Sequence, residues 1–270
     1  MDSKKILFFI YIVLLNILFL DQIYSQTGIS VSPPRVYYQL NPGEAGSQKI
    51  LISNISKSNA LNLSLTFGDW KYDDWGNNLM LPSDSLSNSC ASWLSVSGGT
   101  YITLDPGENK EIELTMNVPL QPKEKENTQT AMFYVTQMNP VDGVDAKGAA
   151  IKINVRSGIK IYRKGSAPEI KKLEIEKLSF DKEKNSLALV FNNKGNIWIN
   201  GNVKTSLFNQ TIGKETNLKS IEFYTLPDDH RTMYIPLNQK LDKGQYIATV
   251  MLDYGDDNNI EAAELEFGYE

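Results

Sequence analysis

The chain of 270 residues has one cysteine and one histidine. One cysteine forms no intrachain disulfide. One histidine without a Cys/His cluster builds no multi-histidine metal site. No glycine-rich phosphate loop and no Gly-x-Ser-x-Gly elbow is present. Basic residues are not in excess: 27 Lys and Arg face 32 Asp and Glu, a net charge of −5. That balance argues against nucleic-acid binding driven by bulk charge. Long apolar runs are also missing beyond the N-terminus, so stable membrane insertion of the rest of the chain is not expected. These absences leave little catalytic chemistry, and no enzyme, metal or cofactor is expected.

What is present begins with a leader. Lys4 and Lys5 precede an apolar run from Ile6 to Leu20, and Ile23-Tyr24-Ser25 follows with a small residue at the cleavage position. These parts make a secretory signal peptide over residues 1–25. The alternative is an uncleaved anchor, but the run is shorter than the ~20 residues of a spanning helix. Removing 25 of the 270 residues leaves 245, which fits two domains of about 100–150 residues. Hydrophobic residues at 41% and aromatics at 10% are enough for packed cores. An exported chain without disulfides takes its stability from that packing.

The remainder alternates with period two, the signal of half-buried strands. Clear runs are Leu61, Leu63, Leu65, Phe67; Ile112, Leu114, Met116, Val118; Leu187, Leu189, Phe191; and Tyr246, Ala248, Val250, Leu252. Turn chemistry separates the runs at Asn41-Pro42-Gly43, Gly76-Asn77, Asp105-Pro106-Gly107, Asp142-Gly143 and Asp242-Lys243-Gly244. No long amphipathic helix is apparent. The basic, small, proline-ended stretch Arg163-Lys164-Gly165-Ser166-Ala167-Pro168 reads as a break. The expected organisation is all-β: two tandem immunoglobulin-like sandwiches at 26–163 and 169–270, joined by a linker at 164–168.

The most informative stretch is Ala149 to Tyr162. Ile151, Ile153 and Val155 share one face, with Lys152, Asn154 and Arg156 on the other. The pattern continues through Ser157-Gly158 into Ile159-Lys160-Ile161-Tyr162, as one strand. It reads either as an ordinary strand with its apolar side inward, or as an edge strand that offers that side to a partner.

Three features in order resemble the periplasmic pilus-assembly chaperones, the PapD-like family of two immunoglobulin-like domains. They are Val31-Ser32-Pro33-Pro34-Arg35-Val36-Tyr37-Tyr38, then Ala131-Met132-Phe133-Tyr134-Val135 followed by Pro140, then Ile151, Ile153, Val155 and Ile159-Lys160-Ile161-Tyr162-Arg163. The resemblance covers roughly residues 28–164. It implies a periplasmic chaperone that caps an exported pilus or fimbrial subunit by lending its G strand, with an outer-membrane usher as a further partner. Ile151, Ile153 and Val155 would be the donated apolar side chains. Arg35 and Lys160 would hold the subunit's C-terminal carboxylate, a charge-assisted contact that also fixes strand register. Lys152 or Arg156 are alternatives for the second cation, and Gly158 is a place where a bulge would re-aim the strand. The competing function is an exported immunoglobulin-like adhesion or scaffold module that binds a surface polymer or protein.

Other motifs read blandly. Asp228-Asp229-His230-Arg231 is a polar loop. Asp253 to Asp257 is a hairpin turn and not a calcium loop. Asp69, Asp73 and Asp74 with Trp70 and Trp75 suggest an exposed turn with tryptophans on the sandwich edge. Cys90 reads as a small buried residue.

Overall fold

The computed structural model describes residues 28–122, 127–145, 147–237, 241–255 and 260–270. The expected leader and most of the acidic turn after Asp253 lie outside the described residues. Among those described, no helix is long and apolar enough to cross a membrane.

The N-terminal half contains β1 (Ile29–Ser32), β2 (Arg35–Gln39), β3 (Ala45–Asn54), β4 (Leu61–Tyr72), β5 (Asn78–Leu81), β6 (Leu94–Val96), β7 (Tyr101–Leu104), β8 (Asn109–Asn117), β9 (Thr128–Gln137), β10 (Val141–Val144), β11 (Ala150–Ile153) and β12 (Arg156–Lys164). One sheet has the order β1-β3-β8-β6 and the other β2-β12-β9-β4-β5, with β7 also on β4. The chain changes sheet between β1 and β2, across Pro33-Pro34, where two successive residues have no N–H to give to a ladder. The two sheets pack face to face as a sandwich. Between them lie Ile50, Ile52, Leu63, Leu65, Leu114, Met116, Phe133, Val135, Ile159 and Ile161, the alternate residues of their strands.

The C-terminal half contains β13 (Leu173–Asp181), β14 (Ser186–Asn193), β15 (Ile199–Asn209), β16 (Lys214–Asn217), β17 (Ile221–Thr225), β18 (His230–Pro236), β19 (Gly244–Asp253) and β20 (Glu261–Tyr269). Its sheets run β13-β14-β18 and β16-β15-β19-β20, with β17 also on β15. A separate core of Leu187, Leu189, Phe191, Val203, Leu207, Phe223, Ala248 and Val250 fills the space between them. The architecture is thus two immunoglobulin-like β-sandwiches in tandem.

Four local expectations are corrected. Asp142-Gly143 lies inside β10 and is not a turn. Its glycine is required by crowding, since a Cβ there would lie 2.9 Å from Ile153 Cδ1. Arg163 belongs to β12 and not to a break; it is buried, with Nε donating to the Leu40 carbonyl at 2.9 Å and Nη1 to Gln129 Oε1 at 2.6 Å. Trp70 ends up fully buried on β4 rather than on an edge. The fourth correction concerns the stretch from Ala149 to Tyr162, which is two strands. β11 pairs with β10, while β12 pairs with β9 and β2. The β9 pairings each run one bond past the named strands, from the Gln137 amide to the Val155 carbonyl at 2.9 Å and from the Met138 amide to the Asn62 carbonyl at 2.8 Å, and beyond Val155 the chain pairs with β10 instead.

β9 is buried on both faces. Phe133 and Val135 point into the sandwich, and Met132 and Tyr134 lie under a second aromatic cluster on the outer face. That cluster is where the two halves meet.

Candidate functional site

Arg35 opens β2, and Lys160 stands directly opposite it in the parallel β2–β12 pair. Register therefore brings the two cations side by side although they are far apart in sequence. Arg156 and Lys152 are placed elsewhere. The Arg156 guanidinium stacks 3.5 Å from the Tyr134 ring centroid, and Lys152 lies exposed in the β10–β11 hairpin. No bulge forms at Gly158, which pairs with Tyr134 in unbroken register.

The Lys160 ammonium sits in an aromatic cage. It lies 4.1 Å from the Trp70 ring centroid and 4.3 Å from that of Tyr72, and it donates to the Tyr72 hydroxyl at 2.9 Å. Trp70 is fixed in turn by its indole N–H, which donates to the Ala131 carbonyl at 2.9 Å. Burial, then the nearby Arg35 and Arg231, lower the Lys160 pKa to about 8, with Asp229 opposing. Arg35 reaches the other way. Its guanidinium lies 4.5 Å from the ring centroid of Tyr224, on β17 of the C-terminal half.

The C-terminal half adds a third cation. Arg231 on β18 is buried, with Nη1 donating to the Tyr224 carbonyl and its guanidinium 5.3 Å from the Tyr72 ring centroid. Tyr72 therefore lies between a lysine of one half and an arginine of the other. Gly76 makes room for Arg231: its φ is +84°, and a Cβ there would fall 2.0 Å from Nη2. Among the described residues, none of Arg35, Lys160 and Arg231 has a carboxylate within ion-pair distance. The nearest influence is Asp229, whose pKa is raised to about 6 by burial, against the Leu226 amide and Arg231. The cluster carries an excess of positive charge in a partly dry setting, which favours an incoming anion.

Rings from both halves close the junction. Tyr37 stacks on Tyr162 at 5.1 Å, Trp198 meets Tyr162 at 5.1 Å, and Trp75 stacks on Tyr234 at 5.7 Å. Polar links that cross it include Thr232 N–H to the Asp74 carbonyl at 2.7 Å and Thr128 Oγ1 to the Asn196 carbonyl at 2.8 Å. A cavity of about 450 Å³ lies beside them, lined by Tyr72, Trp75, Glu222, Tyr224 and Arg231 among others.

The apolar trio lies at the other end of β12. Ile151 and Ile153 are 38% and 42% exposed, so they do not enter their own sandwich core. Val155 is half-buried. Among the described residues β11 has one partner, β10, so its other edge carries open N–H and C=O groups.

The sequence reading missed Trp70, Tyr72, Tyr224 and Arg231. Asp228-Asp229-His230-Arg231 is no simple polar loop: His230 and Arg231 start β18, and Arg231 is packed between the halves. His230 itself stays half exposed between Asp74 and Glu176, at 3.8 and 3.3 Å. Cys90 is fully buried as expected, and burial pushes its thiol pKa up.

No family model and no curated protein matches the chain. Solved structures with a similar fold include the YadV chaperone, at 17% identity and TM-score 0.45, covering 89% of this chain and 99% of that one. The E. coli chaperone DraB gives 16% identity and TM-score 0.45, covering 90% and 98%. The Salmonella enterica SafA pilin in complex with the SafB chaperone gives 13% identity and TM-score 0.48, covering 89% and 97%.

Proposed function

We propose that this chain is an exported periplasmic chaperone that caps a pilus-type subunit. β11 lends its open edge and the Ile151 and Ile153 side chains to the subunit, with Val155 at the base. Arg35 and Lys160 receive the subunit's C-terminal carboxylate. The observation that carries this reading is the arrangement along one stretch of chain. Two adjacent cations without a carboxylate partner among the described residues stand on β12 and its neighbour, and the chain runs from them back to an exposed apolar hairpin edge. An extended peptide anchored by its carboxylate at the first place is led toward the second. Main-chain bonds then supply affinity and alternate side chains supply specificity. An adhesion module has no need of an exposed apolar strand with one open edge, which carries an aggregation hazard unless something covers it.

The test is co-purification of exported subunits with the tagged full chain, compared with Ile153→Asp and Arg35→Ala. Both changes are expected to remove the subunit from the complex. Undiminished recovery with both variants would overturn donor-strand capping.

A further inference from the structure

Arg35 sits on an edge strand, and a long side chain there loses considerable rotamer freedom when it is fixed. The ring that meets its guanidinium belongs to the other half of the molecule. Tyr224 lies 4.5 Å away, centroid to Cζ, within cation–π range. The guanidinium also hydrogen-bonds the Tyr224 hydroxyl, and with five N–H donors it keeps others for a carboxylate, which it grips in a bidentate manner.

Tyr224 is well held for this task. Its neighbours Phe223 and Thr225 are buried in the C-terminal core. Its backbone pairs with Asn200 on β15, and its carbonyl accepts from Arg231 Nη1. Glu222 raises the pKa of the phenol chiefly through a hydrogen bond to the hydroxyl, with burial adding and Arg35, itself hydrogen-bonded to that hydroxyl, opposing.

We infer that Tyr224 is a positioning residue for Arg35, so that carboxylate capture by the N-terminal half depends on a ring supplied by the C-terminal half. This rests on the carboxylate anchor proposed above and assigns the second half a part in it. Tyr224 touches no ligand in this scheme; it acts by holding Arg35 in the receiving orientation.

Two measurements on the full chain test it. The first uses a labelled peptide of alternating valine and threonine, ending either in a free carboxylate or in an amide. The wild type is expected to prefer the acid. Tyr224→Leu, which keeps apolar bulk on the strand, is expected to lower that preference about two- to fivefold, the worth of an exposed cation–π contact. Tyr224→Phe is expected to restore it. The second records the Arg35 side-chain Hε resonance by NMR, assigned through Arg35→Lys. Ring current should displace it upfield in the wild type and in Tyr224→Phe, but not in Tyr224→Leu. An unchanged acid-to-amide ratio in a folded Tyr224→Leu protein would overturn the inference. So would an undisplaced Hε in the wild type, which needs no variant to fold. A wild type that binds acid and amide alike strikes instead at the carboxylate anchor, while the Hε position still reports whether Tyr224 holds Arg35.

Discussion

Lys160 donates to the Tyr72 hydroxyl at 2.9 Å, and this bond takes the place that a counter-ion would fill. A phenol oxygen satisfies one ammonium proton without neutralising the charge. The two remaining donors and the net charge stay available to an anion.

A pH dependence follows from that geometry. The Lys160 pKa is lowered to about 8, first by burial and then by Arg35 and Arg231. A bound carboxylate favours the protonated amine. Affinity for an acid-ended peptide is therefore full below about pH 8 and falls as pH rises through that value. Titration between about pH 6 and pH 10 should show the loss, and Lys160→Arg should abolish it, because arginine stays charged throughout. Folding carries the opposite sign. Below about pH 8 the folded and unfolded chains both hold the proton, and the burial penalty is complete. The penalty is relieved as pH climbs toward the ordinary lysine value, so this group makes the free chain more stable as its affinity declines.

Ile153→Asp should separate binding from stability. Ile153 is 42% exposed on a hairpin that pairs with no other described strand. A substitution at such a position is expected to move folding free energy by no more than about 0.5 kcal/mol. Subunit capture should nevertheless be lost, because a carboxylate would have to be buried in an apolar groove. Urea unfolding beside co-purification checks both halves of the statement. A large loss of stability would mean that Ile153 belongs to the core.

The sandwich strands were legible because β3, β4, β8 and β12 each turn alternate apolar residues inward, a pattern local enough to see in sequence. The break before β12 was not legible. Apolar and polar residues keep alternating through Asn154 and Val155, and periodicity does not say which neighbour a strand pairs with. Asp142-Gly143 misled for a related reason: Asp-Gly is ordinary turn chemistry, and its glycine serves here to clear the Ile151 and Ile153 side chains. Arg35 and Lys160 emerged through the family resemblance. Tyr72, Tyr224 and Arg231 did not, because each is defined by a contact between halves, and neither did Trp70, whose partners Tyr72, Lys160 and Tyr162 meet it only through strand pairing. On β4 the polar neighbours of Trp70 suggest exposure, but Tyr72, Tyr162 and Lys160 of its own half cover it, with Leu226 of the second sandwich in the same cluster.

Gly76→Ala tests the junction. At φ +84° an alanine is strained, and its Cβ would lie 2.0 Å from Arg231 Nη2. The expected cost is about 1–2 kcal/mol, with Arg231 driven from its place between Tyr72 and the Tyr224 carbonyl. Because Thr232, the next residue, holds the Asp74 carbonyl, the two halves should separate more readily. Limited proteolysis between the halves should accelerate in the variant. Equal cleavage rates would show that the turn accommodates the methyl group without disturbing Arg231.

Lys160→Met puts the function and the fold in opposition. Methionine has similar length and can lie on the Trp70 and Tyr72 rings through sulfur–aromatic contact. It gives up the bond to the Tyr72 hydroxyl, whose oxygen remains hydrogen-bonded to Tyr162. It also removes a cation that burial and two neighbouring arginines disfavour. Replacing a poorly compensated buried charge with an apolar side chain of like volume is commonly neutral or stabilising. The free variant is expected to gain about 1 kcal/mol near neutral pH, read as a higher urea midpoint at unchanged slope. Its preference for an acid-ended over an amide-ended peptide should collapse. A destabilised variant would mean that the aromatic cage already compensates the ammonium fully. In that event the cage is a structural device of the N-terminal half, and the positive charge is not being held in readiness for a partner.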